Sequence, residues 1–169
     1  MSVPATTLPH YNSLFWKYSL SVSFLNKRSL IELNMPENLM YSSACPETFA
    51  LLSSLEPKVL STKCYNYLGI PFHEEVKQTE MGHLFEHILL EYLCQESIKA
   101  GAACAHFRGT TSWNWKKDPR GIYHIVISGH TGQELFRHAL ARTILLFETI
   151  LSSSQRAEAI QPFLYAQEL

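Results

Sequence analysis

His83, Glu86 and His87 fall within five residues, in the order H-x-x-E-H. That spacing suits a metal-dependent hydrolase. On a helix, side chains four residues apart project from one face, so His83 and His87 can each offer a ring nitrogen to a single zinc ion. Glu86 flanks the same face, where a carboxylate can hold and deprotonate a water whose acidity the zinc has raised. The order is the reverse of the commoner H-E-x-x-H and is the inverzincin pattern. Two imidazoles alone bind weakly, and catalytic zinc takes a third protein ligand while one position stays open. Three glutamates compete for that third place. Glu91 continues the series at steps of four, drifting about 40° per step, and sits where it can instead orient His87. Glu134 opens a later helix that could pack across the first. Glu80 precedes the motif by a turn and is the weakest of the three.

The element that must position these residues is a helix expected over residues 78–99. It is free of proline, has Gly82 as its only glycine and meets Gly101 as a stop. Leu84, Phe85, Ile88, Leu89, Leu90 and Leu93 make it apolar over most of its circumference, which predicts a central, buried helix with partly buried histidines. Buried imidazole and carboxylate groups without partners are costly, and a shared cation satisfies them. Gly82 beside the first histidine lets another backbone or a substrate come close.

Around that helix, alternating polar and apolar residues predict a strand over 17–25, and Leu30, Ile31 and Leu33 suit a short strand before Pro36. A short helix should start at Pro46 and stop before Pro57, with 59–72 mostly loop. Strands are expected over 105–113 and 122–127, joined by turn chemistry at Asp118-Pro119-Arg120-Gly121 and paired antiparallel. A last helix over 132–151 should end at Ser152-Ser153-Ser154. The order implies an α+β fold, an antiparallel sheet with helices packed on one face and the H-x-x-E-H motif on a central buried helix. The expected organisation is a loose N-terminal arm (1–15), a single metallohydrolase-like domain (16–153) and a C-terminal tail (154–169).

Composition narrows the function classes. The 169 residues are 46% apolar and 17% charged, enough for one domain with a real core and unlike a disordered chain. Fourteen Lys and Arg against fifteen Asp and Glu leave a net charge of -1, which gives no basic footprint for nucleic acid. The longest apolar runs, such as Ile144-Leu145-Leu146-Phe147, are far too short to span a membrane, and the first residues lack the features of a signal peptide. Cys45, Cys64, Cys94 and Cys104 form no C-x-x-C pair, so they are expected to be reduced thiols of a cytoplasmic protein, not a disulfide frame or a thiolate zinc site. Arg108, Trp113, Trp115 and Arg120 could form a substrate-binding rim, since tryptophan faces attract guanidinium groups. His130 and His138 flank Glu134, and either could meet metal or substrate. His106 and His124 lie on the two expected strands, where most histidines pair only with sheet neighbours.

The segment Glu80-Met81-Gly82-His83-Leu84-Phe85-Glu86-His87-Ile88-Leu89-Leu90-Glu91, with Phe107-Arg108-Gly109-Thr110 and Gly121-Ile122-Tyr123-His124-Ile125-Val126 after it, resembles the N-terminal domain of cyanophycin synthetase. The resemblance covers about residues 78–150. The same H-x-x-E-H is distantly similar to that of the pitrilysin and insulinase peptidases. The resemblance implies a zinc metallopeptidase acting on cyanophycin, an arginyl-polyaspartate, or on a related peptide. It implies His83 and His87 as ligands, Glu86 as general base, Glu134 as third ligand, and Glu91 as an outer or alternative one. Polymer synthesis is not expected, because the ATP-grasp and Mur-ligase-like domains of the full synthetase have no counterpart in these residues. The rival expectation is a non-catalytic module that binds such a polymer or a partner protein. Nucleic acid and membrane are not expected partners, and oligomerisation is left open.

Overall fold

Along Ser19–Leu25 and Ile122–Ser128 every second residue turns to one apolar face, and the sheet is built from that alternation. The computed structural model describes residues 6–25, 28–129 and 132–165, with side chains through residue 154. Its strands are β1 (Thr6–Thr7), β2 (Tyr11–Asn12), β3 (Ser19–Leu25), β4 (Arg28–Asn34), β5 (Arg108–Ser112) and β6 (Ile122–Ser128). They form one antiparallel sheet in the order β1-β3-β4-β6-β5, with β2 also paired to β3. In register, Val22, Ile31, Ile125 and Thr111 lie side by side on one face, next to the row Leu20, Leu33 and Tyr123. The opposite face carries the polar row Ser21, Glu32, His124 and Ser112.

The apolar face is covered by helices. The central one, α4 (Met81–Lys99), follows the short α1 (Thr48–Leu55), α2 (Pro57–Leu60) and α3 (Phe72–Glu75), and α5 (Gln133–Tyr165) packs against it. Leu84, Phe85, Ile88, Leu89 and Leu93 of α4 are buried, and Phe85 meets Phe147 of α5 edge to face at 5.1 Å. The fold is therefore the α+β arrangement the sequence implies, with the H-x-x-E-H motif on a buried helix. No helix among the described residues is long and apolar enough to cross a membrane.

Several elements differ from expectation for identifiable reasons. α4 begins at Met81, not at residue 78, because Thr79 and Glu80 run extended between it and a 3-10 turn over Val76–Gln78. Glu80 bridges Tyr41, and backbone bonds join Met81 to Met40 and Ser42 to Thr79 at 2.9 and 2.8 Å. Pro57, expected only as a helix stop, occupies the first turn of α2, where its missing N–H has no partner to lose. Residues 6–15, expected to be a loose arm, supply β1 and β2. Tyr11 of β2 and Tyr18, just before β3, donate to one carboxylate oxygen of Glu148, at 2.7 and 3.3 Å. Finally, α5 runs through Ser152-Ser153-Ser154 to Tyr165 and does not stop there. Ser152 and Ser154 turn their hydroxyls back onto the carbonyls of Thr149 and Leu151, which lets serine sit inside a helix.

Two features fix how the helices sit. Arg142 of α5 donates to Glu96 at 2.7 Å, to Gln95 at 2.8 Å and to Glu56 at 3.4 Å, and its guanidinium lies 4.0 Å over the Tyr92 ring. Gly82 permits the contact of α4 with the sheet. A Cβ there would meet Tyr123 ring and Cβ atoms at 2.5–2.7 Å, and Tyr123 is buried and anchored by its hydroxyl to the Met40 carbonyl at 2.7 Å. The close approach that glycine allows is thus to a core tyrosine. In an exposed helix Gly→Ala stabilises by about 1 kcal/mol. Here Gly82→Ala should instead destabilise by about 1–3 kcal/mol through overpacking, read as a lower urea midpoint.

Candidate functional site

One turn of α4 carries His83, Glu86 and His87 into a cleft of about 1320 Å³, which β5 and the 63–70 loop also line. The Nε2 atoms of His83 and His87 are 3.1 Å apart. Cys64, on the loop after α2, brings its Sγ to 3.4 Å from His83 Nε2. Ligand atoms of Cys64, His83 and His87 all lie within 4.8 Å of one another, and theirs is the grouping of this kind found among the described residues. Tetrahedral zinc, with its usual bond lengths, sets two ligating nitrogens about 3.3 Å apart and nitrogen from sulfur about 3.6 Å apart. The observed spacings are close to both. Two imidazoles and a thiol also match zinc's preference for nitrogen and sulfur donors.

Hydrogen bonds behind the histidines aim their Nε2 lone pairs into the cleft. The Thr62 hydroxyl spends its one proton on the Val59 carbonyl at 2.7 Å, so toward His87 Nδ1, 2.6 Å away, it must accept. His87 therefore carries its proton on Nδ1. His83 Nδ1 faces Glu75 Oε1 at 3.3 Å and Thr79 Oγ1 at 3.0 Å, which likewise places its proton on Nδ1. Burial first, and then His83, hold the His87 pKa down to about 3, so the ring is neutral and its lone pair available. The ring also stacks on Phe72, with centroids 3.7 Å apart.

Cys64 is positioned by its loop. Asn66 donates to the Ile70 carbonyl at 2.6 Å and accepts from the Ile70 N–H at 3.1 Å, closing a turn whose Gly69 adopts a φ of 65°. Asn66 also donates to Glu75 Oε2 at 2.6 Å, the oxygen that receives the Cys64 thiol at 3.1 Å. Burial, then that bond to Glu75, pushes the thiol up to about 12. Without a cation it is protonated, and binding zinc would release the proton.

Glu86 is buried against the edge of the sheet. Thr111 donates to its Oε2 at 2.5 Å, and Gly109 leaves room for the carboxylate where any Cβ would collide with it. Burial raises its pKa, while the Thr111 hydroxyl and His83 pull it back. A carboxylate at the cleft wall beside His83 and His87, held by one donor, is placed to accept a proton from water.

The other expected site residues separate. Glu134, expected as third ligand, is not brought to the histidines. It lies exposed in the first turn of α5 and does not line the cleft, because α5 packs on α4 through later residues such as Phe147. Glu91 accepts from Gln95 at 2.9 Å, within the Arg142 network, and does not line the cleft either. Arg108 and Trp113 line the cleft. Trp115 does not: it packs on Tyr123 and Tyr41, and Arg120 covers its ring at 5.3 Å while pairing with Glu37 at 3.0 Å. His124 pairs with Asp118 at 3.1 Å, His138 is exposed on α5, and His130 lies outside the described residues. Cys64, expected to be an ordinary reduced thiol, is the residue that joins the two histidines. The sequence signal was a cysteine nineteen residues before His83, in a segment without helical or strand period. A search confined to C-x-x-C pairs passes over it.

Comparison with protein-family models gives no match to the chain, and comparison with curated proteins gives none either.

The geometry makes the donors separable by experiment. Zinc titration of the metal-free chain should reach one ion per chain and raise the melting temperature. Cys64→Ala should weaken zinc binding by at least about 100-fold, Thr62→Val by about 10–100-fold, and Glu134→Ala not measurably. Equal losses in Cys64→Ala and Glu134→Ala would reinstate the glutamate.

Proposed function

We propose that this protein is a zinc-dependent metallohydrolase that cleaves peptide bonds, with Cys64, His83 and His87 holding the ion and Glu86 as general base. One observation carries the reading: two imidazoles and a thiol converge at zinc spacing in an open cleft, with a buried carboxylate on the same helical turn. A zinc ion bound there supplies Lewis acidity for the scissile carbonyl and lowers the pKa of water. Glu86 takes the proton of the attacking water and hands it to the leaving amine. Thr111 keeps that carboxylate aimed into the cleft through its 2.5 Å bond, and Thr62 and Glu75 hold the imidazole tautomers that ligation requires. A reducing, cytoplasmic setting belongs to the same reading, since all four cysteines are unpaired and Cys64 must be reduced to ligate.

The resemblance to the cyanophycin synthetase N-terminal domain makes an arginine-bearing polyaspartate one substrate to test. The Glu80 carboxylate and the half-exposed Trp113 ring on the cleft wall are suitable acceptors for guanidinium groups. The rival reading, a polymer- or protein-binding module without catalysis, leaves the buried Glu86 only its bond to Thr111.

Zinc-loaded protein should shorten soluble cyanophycin or cut an unfolded casein. Glu86→Gln should retain zinc yet lower the rate by about 10²–10⁴-fold, the usual worth of a general base. Cleavage of casein with intact cyanophycin would keep the peptidase and discard the polymer. Binding of either without any cleavage would establish the module instead.

A further inference from the structure

Residues 62–70, between α2 and α3, line the cleft and carry Cys64 of the Cys64–His83–His87 group. Side chains alternate along the first half of this segment. Thr62, Cys64 and Asn66 turn inward and are partly buried, whereas Lys63, Tyr65 and Tyr67 are exposed. The inward set serves the site. Thr62 meets His87 Nδ1 at 2.6 Å, Cys64 meets Glu75 and His83 at 3.1 and 3.4 Å, and Asn66 donates to Glu75 at 2.6 Å. Among the described residues, these are the side-chain hydrogen bonds that tie the segment to the protein beyond the adjoining α2. The backbone adds little. Residues 63–70 belong to no helix or strand, and the bond from the Gly69 N–H to the Asn66 carbonyl, 3.2 Å, only closes a turn among themselves. Apolar anchorage is equally sparse: of residues 61–70, Cys64 alone packs against the hydrophobic core, and Tyr65, Tyr67 and Leu68 are exposed. Segments with few buried apolar contacts open locally at low cost, however stable the whole domain is.

Resting on the metallohydrolase reading, we propose that residues 62–70 are a strap latched through Cys64 when zinc is bound, so that loading the ion also builds one wall of the substrate cleft. Cys64 is at once the strap's contact with the core and a zinc donor. A sulfur–zinc bond therefore acts at the point where the strap is fastened. In the metal-free chain the same point is held by the bonds to Glu75 and His83 alone. The three donors differ in their supports: His83 and His87 ride on a buried nineteen-residue helix, Cys64 on a segment without secondary structure. Asn66 sets the shape of the strap, through its two bonds with Ile70 around Gly69, whose φ is 65°. It can act on the ion by shaping the strap that carries Cys64, or by steadying Glu75 behind His83; only the first route requires the thiol. Lys63, Tyr65 and Leu68 face the cleft from the strap. A substrate resting on them and the zinc ion would each tighten the other's binding by the same factor.

The test follows backbone amide exchange by mass spectrometry in the full chain, with and without zinc, together with zinc affinity by chelator competition. Latching predicts that amides of 62–70 exchange at least about tenfold slower in the zinc-loaded chain. Cys64→Ala at saturating zinc should leave them at the metal-free rate. Asn66→Ala should weaken zinc binding about tenfold in the unaltered chain and under about threefold in the Cys64→Ala background, since an effect routed through the thiol disappears with it. Strap amides equally protected with and without zinc, or protected by zinc as fully in Cys64→Ala, would overturn the latch while leaving the metal site standing. An equal loss of affinity in both backgrounds would also overturn it, and would assign Asn66 to the Glu75–His83 pair. Failure of the unaltered chain to bind zinc would overturn the metal reading and the latch with it.

Discussion

The close approach of α4 to the β5–β6 side of the sheet is the constraint on which the site depends. Two glycines make it possible, one on each partner. Gly82 lets the helix rest on the ring of Tyr123, and Gly109 lets the strand lie against the carboxylate of Glu86. Interiors pack at crystal-like density, so a single added methyl at either point would lever the elements apart. With the helix held at this distance, Glu86 has its partner on a strand and not in water. The turn bearing the histidines then lines one cleft with β5. The chemistry of the cleft is thus a by-product of how near a helix can lie to a twisted sheet.

Polar groups behind Cys64 and the two histidines are arranged with equal economy. Glu75 serves Cys64 through one oxygen and His83 through the other, so a single carboxylate couples the loop to the helix. Thr62 and Thr79 fix the remaining ring geometry, and both belong to segments that have no other evident chemical part. This arrangement explains why the imidazoles can be buried without becoming unsatisfied. Each has a defined partner at Nδ1, and Nε2 is left for the cleft.

The fold was legible where periodicity was strong. The alternation along β3, the β-branched run of β6 and the apolar circumference of α4 are visible in the bare sequence, and each became the element expected. The H-x-x-E-H triplet was legible for the same reason, since helical spacing alone places its three side chains together. What escaped depends on tertiary structure. Cys64 reaches the histidines because Asn66 and Gly69 fold a loop back, and no local period encodes that. Glu134 was a reasonable choice from a second helix, but the distance between elements decides ligation and the sequence does not display it. Proline and serine misled in turn: Pro57 starts a helix as readily as it ends one, and the serines of α5 satisfy themselves on its backbone.

Arg142 illustrates how little surface exposure says about tolerance of change. Its side chain is one-third exposed, yet it joins α5 to α4 and to the junction of α1 with α2 through three acceptors and an aromatic face. Guanidinium is planar and directs several N–H groups at once, whereas ammonium is a compact point charge. Lysine would keep the sign of the charge and lose the shape. Sequence drift at this position is therefore bounded by geometry, so a protein built on the same helical joint should retain arginine even where the cleft itself has changed its chemistry.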